Sequence, residues 1–237
     1  MHGRDIEIKR NIIERFLMRI RDFAIKFKKG VLISLVSIIA VTSLLIAGVI
    51  LYEKKVEWDL ADFDQILKKY NELKIDNKEE KKNELGKTVK LLNDVINSSY
   101  WGYINKNGYY VIANLYASMD MLNEAKDYLL KFADKTSGSF FTPLALNRAA
   151  IINEQLGKQD DAFKIYQQLE MDYADCLIID EIYYNLGRIY QIKGEKSKAR
   201  EYYNKIVSSY PRSIFAEKAK KRILMLGYLK DGILKNM

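Results

Sequence analysis

Histidine and cysteine are almost missing from this chain of 237 residues: each occurs once, as His2 and Cys176. One cysteine permits no intramolecular disulfide. Cys176 stands beside Leu177 and Ile178 with no cationic cluster to lower its pKa, so it reads as a small buried hydrophobe rather than a reactive thiol. With His2 the sole histidine, the rest of the chain has no histidine-based triad, no Cys–His pair and no histidine-ligated metal. The glycines form no phosphate-binding loop. The adjacent carboxylates Asp160 and Asp161 precede Ala162 at a turn, where acidic residues favour the positive end of a helix dipole. The expectation is a protein that is not an enzyme, with no cofactor, no metal and no small-molecule substrate.

Proline and glycine are also scarce, at two and twelve residues, while strong helix formers are frequent. That composition predicts an all-α fold. The formal charge of +8 is unevenly spread. Residues 1–30 hold nine Lys/Arg against four Asp/Glu, whereas residues 53–237 hold thirty against twenty-seven. The larger part is nearly balanced, which gives no case for nucleic-acid binding.

Between them lies a stretch with no charge at all. Val31 to Tyr52 reads VLISLVSIIAVTSLLIAGVILY, 22 residues whose only polar side chains are Ser and Thr apart from the terminal Tyr52 hydroxyl. A helix needs about 20 apolar residues to cross the hydrocarbon core of a bilayer. The stretch exceeds the roughly 7–15 apolar residues of a cleaved signal, and no cysteine follows it to make a lipoprotein site, so an uncleaved transmembrane helix is expected. Lys26, Lys28 and Lys29 flank it on one side, and Glu53, Glu57, Asp59, Asp62 and Asp64 stand among the charges on the other. The positive-inside rule then places residues 1–30 in the cytoplasm and residues 53–237 outside it.

Within the basic segment, Ile13, Phe16, Leu17, Ile20, Phe23, Ala24 and Phe27 recur at helical spacing. Such a helix suits an anionic leaflet, a continuation into the anchor or a docking segment for a cytoplasmic partner. Past the anchor, Trp58 to Leu73 and Leu85 to Ile96 read as two amphipathic helices, with the charged run DNKEEKKNE between them as a solvated turn or frayed helix end.

The remainder repeats. Ala125, Ala162 and Ala199 are 37 residues apart, as are Ala113, Ala150 and Gly187, then Asp120, Gly157 and Gly194, then Leu129, Tyr166 and Tyr203. Small residues let two helices approach closely and large ones fill the space beside them. This pattern resembles the tetratricopeptide repeat, and the third unit matches it best through Leu186, Gly187, Tyr190, Gly194, Ala199, Tyr203 and Pro211. The period exceeds the usual 34 residues by three, which predicts a longer helix or a longer turn between units. Two departures stand out: Asp120 replaces the turn glycine, and Asn153 replaces an aromatic. Ser213 to Leu226, following Pro211, reads as a C-terminal capping helix with Ser213 as N-cap. The expected organisation is a basic amphipathic segment (1–30), a transmembrane helix (31–52), amphipathic helices capping the repeats (53–105), and an α-solenoid of helical hairpins with a C-terminal cap (106–237).

The resemblance implies a binding face lined by the first helix of each unit. It places Tyr110 and Asn114 there from the first unit, Asn147 and Ile151 from the second, and Tyr184, Arg188 and Gln191 from the third. Members of the family that clamp a C-terminal carboxylate use lysines where Tyr110 and Tyr184 stand here, although Asn114, Asn147 and Arg188 are compatible with such a clamp. An aromatic, mildly basic groove for an extended or helical segment fits better. The whole layout, a basic N-terminal piece followed by one anchor, a charged helix and repeats, also resembles the bacterial YfgM-type family. That resemblance implies partners such as the Sec translocon, a membrane-bound chaperone or other envelope proteins, met at the outer face of the inner membrane. A structural scaffold for cell division or envelope assembly is the alternative.

Overall fold

The computed structural model describes residues 2–99 and 102–230, which form ten helices and no strand. The chain divides into two compact units, Met1–Glu57 and Trp58–Met237.

The first unit contains α1 (His2–Lys26) and the start of α2 (Lys28–Asn71). Only Phe27 separates them, and the helical hydrogen bonds run through it: Phe27 N–H donates to Phe23 O at 2.9 Å and Val31 N–H to Phe27 O at 2.9 Å. The basic segment therefore continues into the apolar helix. No residue of the most apolar 18-residue window of α2 is buried, and α2 is long and apolar enough to cross a membrane. The Thr42 hydroxyl donates to Ile38 O at 2.9 Å, so this polar group has a partner within the helix itself.

Helix α2 does not end with its apolar stretch. Its last residues, from Trp58 to Asn71, are the first of the two expected amphipathic helices. The charged run after it is not a turn. Asn77 accepts from Glu79 N–H at 2.9 Å and Glu80 N–H at 3.1 Å, capping α3 (Lys78–Ser98), and Glu79 and Glu80 occupy the first turn, where carboxylates favour the helix dipole. Phe63 of α2, Leu85, Leu92 and Ile96 of α3, and Ile112 of α4 (Tyr103–Ser118) form a core that closes the first end of the repeats. The buried Asp59 carboxylate accepts from the Ser99 hydroxyl at 2.6 Å, fastening α2 to the end of α3.

Three hairpins follow: α4 with α5 (Leu122–Lys135), α6 (Thr142–Gln155) with α7 (Gln159–Asp172), and α8 (Ile179–Ile192) with α9 (Lys196–Ser209). Each turns through three residues in the same way. The N–H of Met121, Lys158 and Glu195 reaches back five residues to the carbonyl of Tyr116, Asn153 and Tyr190, at 3.0, 2.8 and 2.9 Å. This C-terminal lock needs a left-handed residue just before the donor. The residues there are Asp120, Gly157 and Gly194, with φ of 59°, 74° and 80°. An L-residue in this region bears a cost of about 1–2 kcal/mol that glycine avoids. Glycine also loses about 0.4–1 kcal/mol more chain entropy on folding. Asp120→Gly is therefore expected to stabilise the second unit by about 0.5–1 kcal/mol. A higher denaturant midpoint with an unchanged slope would show this, whereas a lower midpoint would contradict it.

The three residues that lengthen the period lie between hairpins. Residues 136–141 and 173–178 are six-residue connections, while the helices and hairpin turns keep the lengths of a 34-residue unit. Helix α10 (Ile214–Lys230) ends the array, and Ser213 Oγ accepts from Phe215 N–H at 2.9 Å as its cap. Ala216, Ala219 and Leu226 bury its inner side. The main core runs unbroken from Ala113 to Leu226 through Leu129, Tyr166, Leu186 and Tyr203.

Candidate functional site

Helices α4, α6 and α8 are the first helices of successive hairpins, so side chains at matching positions form one face. Six of the seven residues expected there (Tyr110, Asn114, Ile151, Tyr184, Arg188 and Gln191) are half-buried. Asn147 differs: it is buried, and its Oδ1 has no hydrogen-bond partner. It sits too deep to offer a surface contact without movement of its neighbours.

Most of these residues are already engaged by other side chains, several of them across hairpins. Arg148 donates to Asn114 Oδ1 and, at 3.4 Å, to Tyr110 Oη. Arg222 of α10 donates to Tyr184 Oη at 3.5 Å, the same pairing two units later. Arg188 forms an ion pair with Glu154, and Glu154 also accepts from Tyr166 Oη at 2.8 Å. Tyr203 Oη donates to Gln191 Oε1 at 3.1 Å, repeating that contact one period later. Burial and the neighbouring Glu154 hold the Tyr166 hydroxyl well above the ordinary tyrosine pKa, and burial pushes Tyr203 up to about 12.

The tyrosines thus pack within their own and the following hairpin. Tyr110 meets Phe132 with ring centroids 5.3 Å apart, and Tyr184 lies 5.8 Å from Tyr203 and 5.4 Å from Phe215. Contact with the N-terminal helices does not account for them. Reasoning from the repeat pattern missed Arg148, Glu154 and Arg222. The signal was present as spacing: each arginine lies 38 residues after the tyrosine it contacts, and Arg148 and Arg188 lie 34 after Asn114 and Glu154.

The charges balance unequally. Arg188 is neutralised by Glu154, but among the described residues the side-chain hydrogen bonds of Arg148 go to the neutral Tyr110 and Asn114. Beside it lies an apolar pocket of about 350 Å³ walled by Tyr103, Tyr110, Val111, Phe132, Phe141 and Leu144, with Asn107 at its edge. Tyr110 belongs to both the pocket and the arginine contact. The arrangement offers a hydrophobic socket joined through Tyr110 to a cation, a combination suited to a polypeptide side chain and a nearby carboxylate.

Cys176 is half-buried rather than enclosed, and burial raises its thiol pKa, which leaves it unactivated.

The middle hairpin is the least regular. Where the outer hairpins pair Tyr116 with Tyr128 and stack Tyr190 on Tyr202, centroids 5.5 Å apart in both cases, the middle one has Asn153, buried with an unpartnered Oδ1. The tetratricopeptide repeat family matches residues 107–134 and 180–213, on the first and third hairpins. Those two hairpins are therefore similar to tetratricopeptide repeats. No curated protein matches it. Two solved structures similar to it are both described as crystal structures of MamA. One is 21% identical over 68% of this chain and 87% of that chain, with a TM-score of 0.47. The other is 18% identical over 76% and 84%, with a TM-score of 0.49.

Proposed function

We propose that this chain of tetratricopeptide repeats is a membrane-anchored interaction module that binds envelope or translocon-associated proteins at the outer face of a bacterial inner membrane. The observation that carries the reading is the apolar pocket at Tyr110 and Leu144, whose Tyr110 hydroxyl accepts from Arg148. A segment bearing an apolar anchor residue beside an acidic group or a chain terminus matches it. Tyr184, Arg188, Ile151 and Gln191 would extend the contact along the face, with Asn147 beneath.

The apolar part of α2 supports anchoring, and the basic excess before it supports a cytoplasmic N-terminus with the repeats on the other side. The layout shared with YfgM-type proteins favours the Sec translocon, a membrane-bound chaperone or a secreted chain as partner.

A photo-reactive residue at Tyr110 or Arg188 of the full chain in its native cell should capture one of these. Adding Leu144→Asp should cut the yield about tenfold or more, since burying a leucine contributes about 1.5–3 kcal/mol. Capture of no such protein, or capture indifferent to Leu144→Asp, would sink the reading. A reporter fused after Glu57 tests the orientation separately: activity only on the cytoplasmic side would reverse it.

A further inference from the structure

Tyr103, Phe140, Leu177 and Ile214 are separated by 37 residues each, the period of the repeat. All four are large and apolar, yet 60, 56, 77 and 71% of their surface is exposed. Isolated exposed hydrophobics are ordinary. The same register position kept apolar in four successive units, without packing to require it, is a pattern. Tyr103 and Ile214 begin α4 and α10, while Phe140 and Leu177 stand two residues before α6 and α8. All four mark the entry to a first helix or to the final helix, so the regular stacking of the units sets them as successive rungs.

Hollows alternate with these rungs. One of about 300 Å³ lies between the first two connections, lined by Phe140, Pro143 and Cys176. The wider one, about 600 Å³, has Asp175, Cys176 and Leu177 on one wall and Pro211, Arg212 and Ser213 on the other. Asp175 and Arg212 are both exposed, and among the described residues neither has an ion-pair partner in the chain.

We propose that the wider hollow is the centre of a two-fold contact between two copies of this chain, an inference that goes beyond the partner binding described above and does not depend on it. A two-fold axis through the hollow exchanges its walls. Leu177 then meets Ile214 of the second copy, Asp175 meets Arg212, and both contacts occur twice. Apolar rung thus meets apolar rung, and each wall carries the charge that the opposing wall lacks. A membrane surface is a poorer occupant, because Asp175 and Asp180 line the hollow with Leu177 and anionic lipid would repel them. The only cysteine, Cys176, lines the hollow and reports on the contact.

The test uses the full chain in detergent micelles, with a short bis-maleimide to join Cys176 to Cys176 and sedimentation equilibrium to read mass. A dimer cross-linked through Cys176 is expected. Asp175→Arg or Arg212→Asp alone should weaken association about tenfold or more, because each places like charges together twice. The two reversals combined should restore it. Both residues are exposed loop positions, so melting temperatures should not move; Leu177→Asp provides a second disruption should either reversal impair folding. A monomer at all concentrations, a dimer indifferent to the single reversals (as association through α2 would be), or a double reversal that fails to restore it would overturn the proposal.

Discussion

Arginine at both Val41 and Leu44 is expected to remove the chain from the membrane. The two residues lie near the middle of the uncharged stretch Val31 to Tyr52, on a part of α2 that buries nothing. Arginine at the centre of a spanning helix costs about 2.5–3.5 kcal/mol on insertion scales, so the pair costs about 5–7 kcal/mol. That shifts partition between bilayer and water by about three and a half to five orders of magnitude. No residue of either hydrophobic core is altered, because those cores begin at Phe63. The variant should leave the alkali-resistant membrane fraction while its repeats keep their far-ultraviolet helical signal and cooperative melting. The conservative pair Val41→Leu and Leu44→Ile should stay with the membrane. Retention of the arginine variant in the membrane fraction would remove the anchor from the proposed function and leave the repeat face untouched.

The repeats are legible in the sequence because their packing is steric and periodic. A fixed spacing between Gly187 and Tyr203, or Ala150 and Tyr166, records where two helices touch. At Gly187 an added Cβ would lie 2.7 Å from the Tyr203 ring, so the glycine is required by close approach rather than by the turn. The left-handed turn is legible for the same reason at Gly157 and Gly194, and even Asp120 adopts the conformation its register position demands. Helix ends are less so. The run DNKEEKKNE is polar enough for a loop, and only the Asn77 side chain bonding two backbone N–H groups makes it a helix start. The end of the apolar stretch at Tyr52 likewise marks a change of side-chain polarity and not a change of backbone, since the helix runs on from Glu53 to Asn71.

The face formed by the first helices was legible in position and not in chemistry. The family pattern located Tyr110 and Arg188 correctly on first helices, but it treats each unit alone. The contacts that determine their electrostatics come from a neighbouring unit: Arg148 of the following hairpin brings a charge to Tyr110, and Glu154 of the preceding hairpin cancels that of Arg188. Aligning units by their 37-residue period superposes equivalent positions, whereas these partners are 34 and 38 apart and stay out of register. The exposed rungs have the opposite character. Their spacing is the period itself, yet exposure is what makes Tyr103, Phe140, Leu177 and Ile214 informative, and a sequence carries no record of exposure.

Tyr166→Ala is expected to be the most destabilising single change of those considered, at about 3–5 kcal/mol. Tyr166 is completely buried in the central hairpin, and its hydroxyl is one of two donors to Glu154. Truncation leaves a cavity between α6 and α7 and removes one donor. A domain of this size has about 5–15 kcal/mol in total, so the loss is a large fraction of it. Because each unit of a solenoid contacts only its neighbours, weakening the middle one uncouples the hairpins on either side. The melt should broaden or split, and amide exchange should rise first in α6 and α7. Tyr166→Phe keeps the packing and should cost only about 1 kcal/mol, the value of one hydrogen bond. The two variants also differ from the parent at alkaline pH. The folded state holds the Tyr166 hydroxyl protonated, with its pKa raised by burial and then by Glu154, while in the unfolded chain it ionises near 10.0. The unfolded state therefore binds fewer protons above that value, and stability falls as pH rises past it, by about 1.4 kcal/mol per pH unit for each such tyrosine. Tyr166→Phe should reduce that slope by one group's share, so the parent's stability advantage at neutral pH should narrow and then reverse as the solution is made more alkaline. Parallel pH profiles for parent and variant would show that the hydroxyl ionises as freely in the fold as outside it.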